Sequence, residues 1–128
     1  MRPRSRSRWW RSSRSALALV MQEPSREQVD ALPGTTLLEF GATWCGFCQG
    51  ARPLINRALG ENPHIRHIQI EDGKGKRLGR SFGVKLWPTL IVMHDGSEVA
   101  RLVRPRALDQ IRDALSLANQ ASAEPPRV

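Results

Sequence analysis

Cys45 and Cys48 are the only two cysteines among 128 residues, and Gly46 and Phe47 separate them. Two thiols at this spacing support two kinds of chemistry, reversible disulfide exchange or metal ligation. The pair stands where an apolar run gives way to a helical pattern. At a helix start the first backbone N–H groups lack intrahelical partners and the macrodipole is positive, so a thiolate on Cys45 is favoured there. Cys48, one turn further on, faces the same way and can close a small disulfide ring, and Gly46 tolerates the close approach. For a metal, Cys-x2-Cys is followed by 15 residues and then His64-x2-His67, which resembles a zinc-finger arrangement. That histidine spacing is one residue short of the usual minimum. Read on a strand, the two rings would also point to opposite faces. Dithiol exchange is therefore the reading taken, with no metal and no cofactor bound by the chain.

The elements that must position the thiols can be read from pattern. Thr35 opens the run TTLLEFG, which fits a buried strand over 35–41. Glu39 interrupts it, and a carboxylate in such a strand needs a reason. From Cys45 to Leu59, Ala51, Leu54, Ile55, Ala58 and Leu59 recur at helical spacing. Gly60 reads as the stop, and Pro53 should kink the helix. Upstream, a helix over 25–32 carries a capping box, with Ser25 as cap and Gln28 three residues on, and Pro33-Gly34 ends it. Downstream, 64–70 alternates as a strand, 71–79 is a Gly- and Lys-rich loop, and a short helix lies near Phe82. The run LWPTLIVMHDGSEVARLV is a hairpin around Asp95-Gly96, and 107–121 is a final helix before the tail AEPPRV. Strands alternating with helices and closed by a hairpin give an α/β domain with a mixed β-sheet flanked by α-helices.

Over about residues 24–121 the sequence resembles thioredoxin. The resemblance rests on the strand leading into TWCGFC, the helix with Pro53 inside it, WPT some 40 residues later, and the hairpin with its Asp-Gly turn. It implies a thioredoxin fold and a protein-disulfide reductase. Cys45 matches the attacking cysteine, Cys48 the resolving one, and Trp44 the tryptophan bordering the site. Pro88 matches the family's cis-proline, which lies against the disulfide and presents backbone groups to the substrate. Gly46, Phe47 and Trp87 join Trp44 and Pro88 as expected substrate contacts. Glu39 lies where thioredoxins carry a buried aspartate that takes the proton of the resolving cysteine. Burial is expected to raise its pKa, and its removal to increase stability. His67 falls near the place of a lysine that partners that acid. The chain departs from the family at Phe47, where proline is usual, at Trp87, and at Arg104-Pro105 in place of a glycine-containing groove wall. Losing the proline should make the pair more oxidising. An oxidase or isomerase of the same fold, and a binding module with incidental cysteines, are the alternatives.

The formal charge of +8 is unevenly placed. Residues 1–20 carry six arginines and no acid, while the other 108 hold 14 basic against 12 acidic side chains, a net +2. A domain of +2 is not a nucleic-acid binder by charge, and no nucleic-acid partner is expected. Residues 1–20 are read as a basic, disordered extension, 21–122 as the thioredoxin-like domain and 123–128 as a disordered tail. A phosphate- or membrane-binding arm and an export signal are alternatives for the extension. The apolar run 16–21 is too short for a bilayer span, and for a secretory core it lacks a cleavage site. The resulting expectation is a cytoplasmic monomer acting on protein disulfides and recycled by another protein, such as a thioredoxin reductase. The basic run of Lys74, Lys76, Arg77, Arg80 and Lys85 is read as a solvated loop, and His94 as a hairpin-end residue.

Overall fold

The computed structural model describes residues 23–123; the basic extension, the apolar run 16–21 and the end of the expected tail lie outside them. Helix α1 (Arg26–Asp30) opens with the expected capping box. Ser25 Oγ accepts from the Gln28 N–H at 3.0 Å, and the Gln28 side chain accepts from Ser25 N–H at 2.9 Å. Gly34, with φ +74°, then turns the chain into strand β1 (Thr35–Gly41). Every residue of β1 but Gly41 is buried, the pattern of a strand covered on both faces.

Helix α2 (Gly46–Gly60) runs through Pro53 without a break. Gly60 is its last residue, not a left-handed stop; the cap is Glu61 in right-handed geometry, and the Asn62 side chain donates to Ala58 O at 2.9 Å. Strand β2 (Arg66–Glu71) starts two residues later than alternation suggests, because Ile65 N–H closes a turn onto Asn62 O at 3.0 Å. His64 therefore lies in that turn and bonds Asn119 at 3.1 Å. Helix α3 (Arg77–Ser81) ends at Phe82. Strands β3 (Thr89–His94) and β4 (Ser97–Val103) form the hairpin. Asp95 and Gly96 both have positive φ, the geometry an Asp-Gly hairpin turn requires. Helix α4 (Leu108–Ala123) closes the domain, reaching two residues past the expected end.

The sheet order is β2-β1-β3-β4, with β1 parallel to β2 and antiparallel to β3, and β3 antiparallel to β4. Alternation along β1 and β3 sends side chains to two cores. On one face Leu37, Leu90 and Val92 meet Ala51 and Ile55 of α2 and Ile111 and Leu115 of α4. On the other, Leu38, Phe40 and Ile91 meet Val29, Leu78 and Phe82. Truncating a fully buried Ile55 to alanine would cost about 2–5 kcal/mol. Glu39 alternates with Leu37, so it sits on the face covered by α2. That placement brings it under the cysteine-bearing helix.

Candidate active site

The site is assembled at the carboxyl end of β1, where Ala42–Trp44 lead into α2. Cys45 is the N-cap residue of α2, in extended geometry, and its Sγ accepts the otherwise unpaired N–H of Cys48 at 3.2 Å. The helix terminus thus presents an N–H donor and the positive end of its dipole to the sulfur expected to attack. Both cysteines are free thiols and buried, Cys48 deeper at 3 % exposure. Burial, reinforced by the hydrogen bond to Cys45 and the negative charge of Glu39, pushes the Cys48 thiol up to about 11. The two sulfurs, equivalent in sequence, are thus placed in different environments.

Gly41, the last residue of β1, lies against Cys48. A side-chain carbon there would stand 2.7 Å from Cys48 Sγ, so glycine is what lets the deeper thiol lie against the strand. Neighbouring Glu39 is 3 % exposed and held from two sides. His67 Nε2 lies 2.7 Å from one carboxyl oxygen and Arg52 3.1 Å from the other. Because a carboxylate only accepts, His67 donates to it through Nε2. Burial raises the pKa of Glu39, but the His67 hydrogen bond and charge and the Arg52 charge outweigh it, and the carboxyl is held below its ordinary value. This corrects the expectation from burial alone. The Arg52 guanidinium and the direct His67 hydrogen bond were the missing information. A hollow of about 120 Å³ runs between Glu39, Gly41, Ala42 and Arg52, with room for water.

The rim is aromatic. Trp44 is 72 % and Phe47 56 % exposed. Trp44 meets Trp87 edge to face with ring centres 5.4 Å apart. The Trp87–Pro88 peptide is cis, as the resemblance implied. The Trp87 carbonyl oxygen lies 4.0 Å from Cys45 Sγ, and its indole N–H donates to Asp72 at 2.9 Å. Gly46 is exposed beside Phe47 on the first turn of α2. All the expected residues, Cys45, Cys48, Glu39, Trp44, Gly46, Phe47, Trp87 and Pro88, therefore belong to one end of the sheet. His64 and His67 do not converge with the cysteines, since His64 bonds Asn119 and His67 pairs with Glu39. Among the described residues no group of three His, Cys, Asp or Glu side chains could hold a metal ion, and no helix is long and apolar enough to cross a membrane.

Sequence reasoning missed Arg52, Gly41, Asp72 and the contacts of Arg104. Arg52 had a signal: it stands four residues after Cys48, on the same helical face. The other three are joined to the site by topology.

A buried and a helix-capping thiol three residues apart, beside a cis-proline on this sheet, define a dithiol–disulfide exchange protein of thioredoxin fold. The thioredoxin family model matches residues 17–117, and the chain belongs to the thioredoxin family. It is similar to the thioredoxin of Chlamydia trachomatis, with 31 % identity over 98 residues covering 77 % of this chain and 94 % of that protein. Among solved structures it is similar to reduced thioredoxin 2 of Pseudomonas aeruginosa, at 49 % identity and a TM-score of 0.68, covering 76 % of this chain and 91 % of that one. It also resembles a thioredoxin variant of Halobacterium salinarum, at 26 % identity and a TM-score of 0.63, covering 80 % and 89 %. The protein is a thiol–disulfide oxidoreductase, a protein-disulfide reductase of the thioredoxin type. Thioredoxins act on protein disulfides and are recycled by reductases.

Proposed function

We propose that Cys45 attacks protein disulfides, that Cys48 resolves the mixed disulfide, and that Glu39 takes the Cys48 proton. The observation that carries this reading is the inequality of the two sulfurs: Cys45 accepts a helix N–H, whereas the deeper Cys48 is pushed up to about 11. The Cys45 thiolate attacks one sulfur of the substrate disulfide. That S–S bond breaks, a mixed disulfide forms, and the departing substrate thiolate is protonated from water. Cys48 then loses its proton and attacks Cys45 Sγ. The mixed disulfide breaks, the second substrate thiolate leaves, and the chain keeps a Cys45–Cys48 disulfide after a two-electron reduction of the substrate. Glu39 is ionised at neutral pH and so is an available acceptor. Its fit to that role rests on its charge acting on Cys48, on the hollow beside it, which has room for water, and on His67, hydrogen-bonded to its carboxylate.

Trp44, Gly46, Phe47, Trp87 and Pro88 form the substrate contact around Cys45. Residues 21–122 constitute the functional domain, with 1–20 as an extension outside the chemistry and 123–128 as a tail. The reductive direction suits a reducing compartment, which makes the cytoplasm the site of action. The partner that restores the dithiol is a flavin-dependent thioredoxin reductase drawing on NADPH. A trapping experiment tests the roles. Cys48→Ser should accumulate mixed disulfides with substrate proteins, and Cys45→Ser should not. Equal trapping by the two variants would overturn the assignment.

A further inference from the structure

Arg104 is in a backbone conformation that favours glycine, φ +53°. A long side chain at such a φ costs free energy, and strain of this kind concentrates at functional positions. Its own N–H donates to Pro88 O at 2.8 Å, which pins the residue to the carbonyl of the cis-proline. From there the side chain turns back across the site. Its Nε donates to Trp87 O at 2.7 Å, and the guanidinium carbon stands 4.1 Å from the centre of the Phe47 ring. The same carbonyl oxygen is 4.0 Å from Cys45 Sγ. One backbone atom therefore separates the attacking sulfur from a fixed positive charge. Among the described residues the two terminal nitrogens of Arg104 have no hydrogen-bond partner, so their donors face outward.

Beside the arginine lies a hollow of about 530 Å³ bounded by Phe47, Ala51, Leu54, Pro105 and Arg106. Its floor is apolar, its rim carries a second arginine, and no acid lines it. The nearby acid on the other flank of Trp87, Asp72, is engaged by the indole N–H. The charged side chain lining the hollow is Arg106, and with Arg104 beside it the charges placed on this side are positive. A guanidinium stacked on a ring and anchored at one nitrogen keeps a pre-oriented fork for a carboxylate.

We propose that Arg104 is a specificity-determining residue of the exchange reaction: it selects substrate chains that carry an acidic side chain next to the attacked cysteine, with an apolar neighbour seated in the hollow. This rests on the disulfide-exchange reading above. The preference concerns charge beside the reacting sulfur, so it should appear in the first attack and weaken with salt.

The test uses the full chain in its dithiol form, in single turnover, quenched and resolved by chromatography. Three peptides of one sequence are each closed by a disulfide and carry Glu, Gln or Lys beside the cysteines. Each rate is divided by that of dithiothreitol on the same peptide, which removes the intrinsic effect of charge on disulfide reactivity. The native chain should favour the Glu peptide over the Lys peptide about fivefold, the upper range for a half-exposed ion pair. Arg104→Gln should bring that ratio to about one, Arg104→Lys should retain part of it, and Arg104→Glu should invert it. Each enzyme is its own reference, so a general loss of activity cancels. A structural clamp would lower all three rates together and would not invert the ratio. An unchanged ratio in Arg104→Gln, or no preference in the native chain, overturns the proposal alone. Failure of the native chain to reduce any of the peptides overturns the exchange reading with it.

Discussion

The floor and the rim of the site are built from different physics. The floor is formed by Cys48 and Glu39, both buried, with the half-buried Gly41 against them, and its groups are held by Arg52, His67 and the strand backbone. The rim, formed by Trp44, Phe47 and Arg104, is open to water and held by ring contacts and a single backbone carbonyl. Burial moves protonation equilibria, whereas exposed rings and charges meet a partner's surface. Changes to the floor should therefore alter rates in a pH-dependent way that is the same for every substrate. Changes to the rim should depend on the substrate and ignore pH.

Glu39→Gln puts the largest load on that contrast. It should slow resolution by Cys48 about 10²-fold at neutral pH. The rate should recover as the pH rises toward the Cys48 value of about 11, while attack by Cys45 changes little. Rapid-quench separation of the two steps checks this, and equal slowing of both would erase the distinction between floor and rim. The same variant should lose stability, contrary to the gain expected from burial alone, because His67 and Arg52 lose an ionised partner. The cost is about 1–2 kcal/mol. The sign follows from the direction of the shift: Glu39 is held below its ordinary value, so its stabilisation is present above the unfolded pKa. That stabilisation is lost as the pH falls through the folded one. Melting curves of the native chain and the variant should converge in acid.

Gly41→Ala drives a methyl toward Cys48 Sγ and should cost about 1–3 kcal/mol, with resolution slowed alike for all substrates. Trp44→Ala lies on the other side of the contrast. Its stability should stay within about 0.5 kcal/mol of the native chain's, and its rate should fall a few-fold with protein substrates, at all pH values alike. The smallest effect belongs to Gly50→Ala. This glycine is inside α2 with nothing near a built Cβ, so the change should stabilise by about 0.5–1 kcal/mol. Thermal denaturation of the two glycine variants side by side tests whether the floor, and not glycine in general, is crowded.

Legibility followed the range of the interactions. The Ser25–Gln28 capping box, the Asp95-Gly96 turn and the run of α2 are settled within a few residues, so pattern was enough to place them. The start of β2 departs from the pattern because His64-Ile65 alternates like a strand while the turn onto Asn62 claims it. In the site, the cysteines and Glu39 could be read from spacing and resemblance. The charge state of Glu39 could not, since it depends on Arg52 and His67 arriving from α2 and β2. The meeting of Arg104 with the Trp87 carbonyl requires β4 to return beside β3, and the closeness of Gly41 to Cys48 depends on the angle at which α2 leaves β1. Neither leaves a trace in local periodicity.

The edge-to-face pair of Trp44 and Trp87 gives the chain an optical property. There is no tyrosine, and two of the four tryptophans stand at the cysteines, one open to water and one tied to Asp72 through its indole N–H. A disulfide quenches the emission of an adjacent indole and a dithiol does not. Intrinsic fluorescence should therefore brighten on reduction without any label. Replacing Trp9 and Trp10 should dim the steady background and leave the redox-dependent change intact.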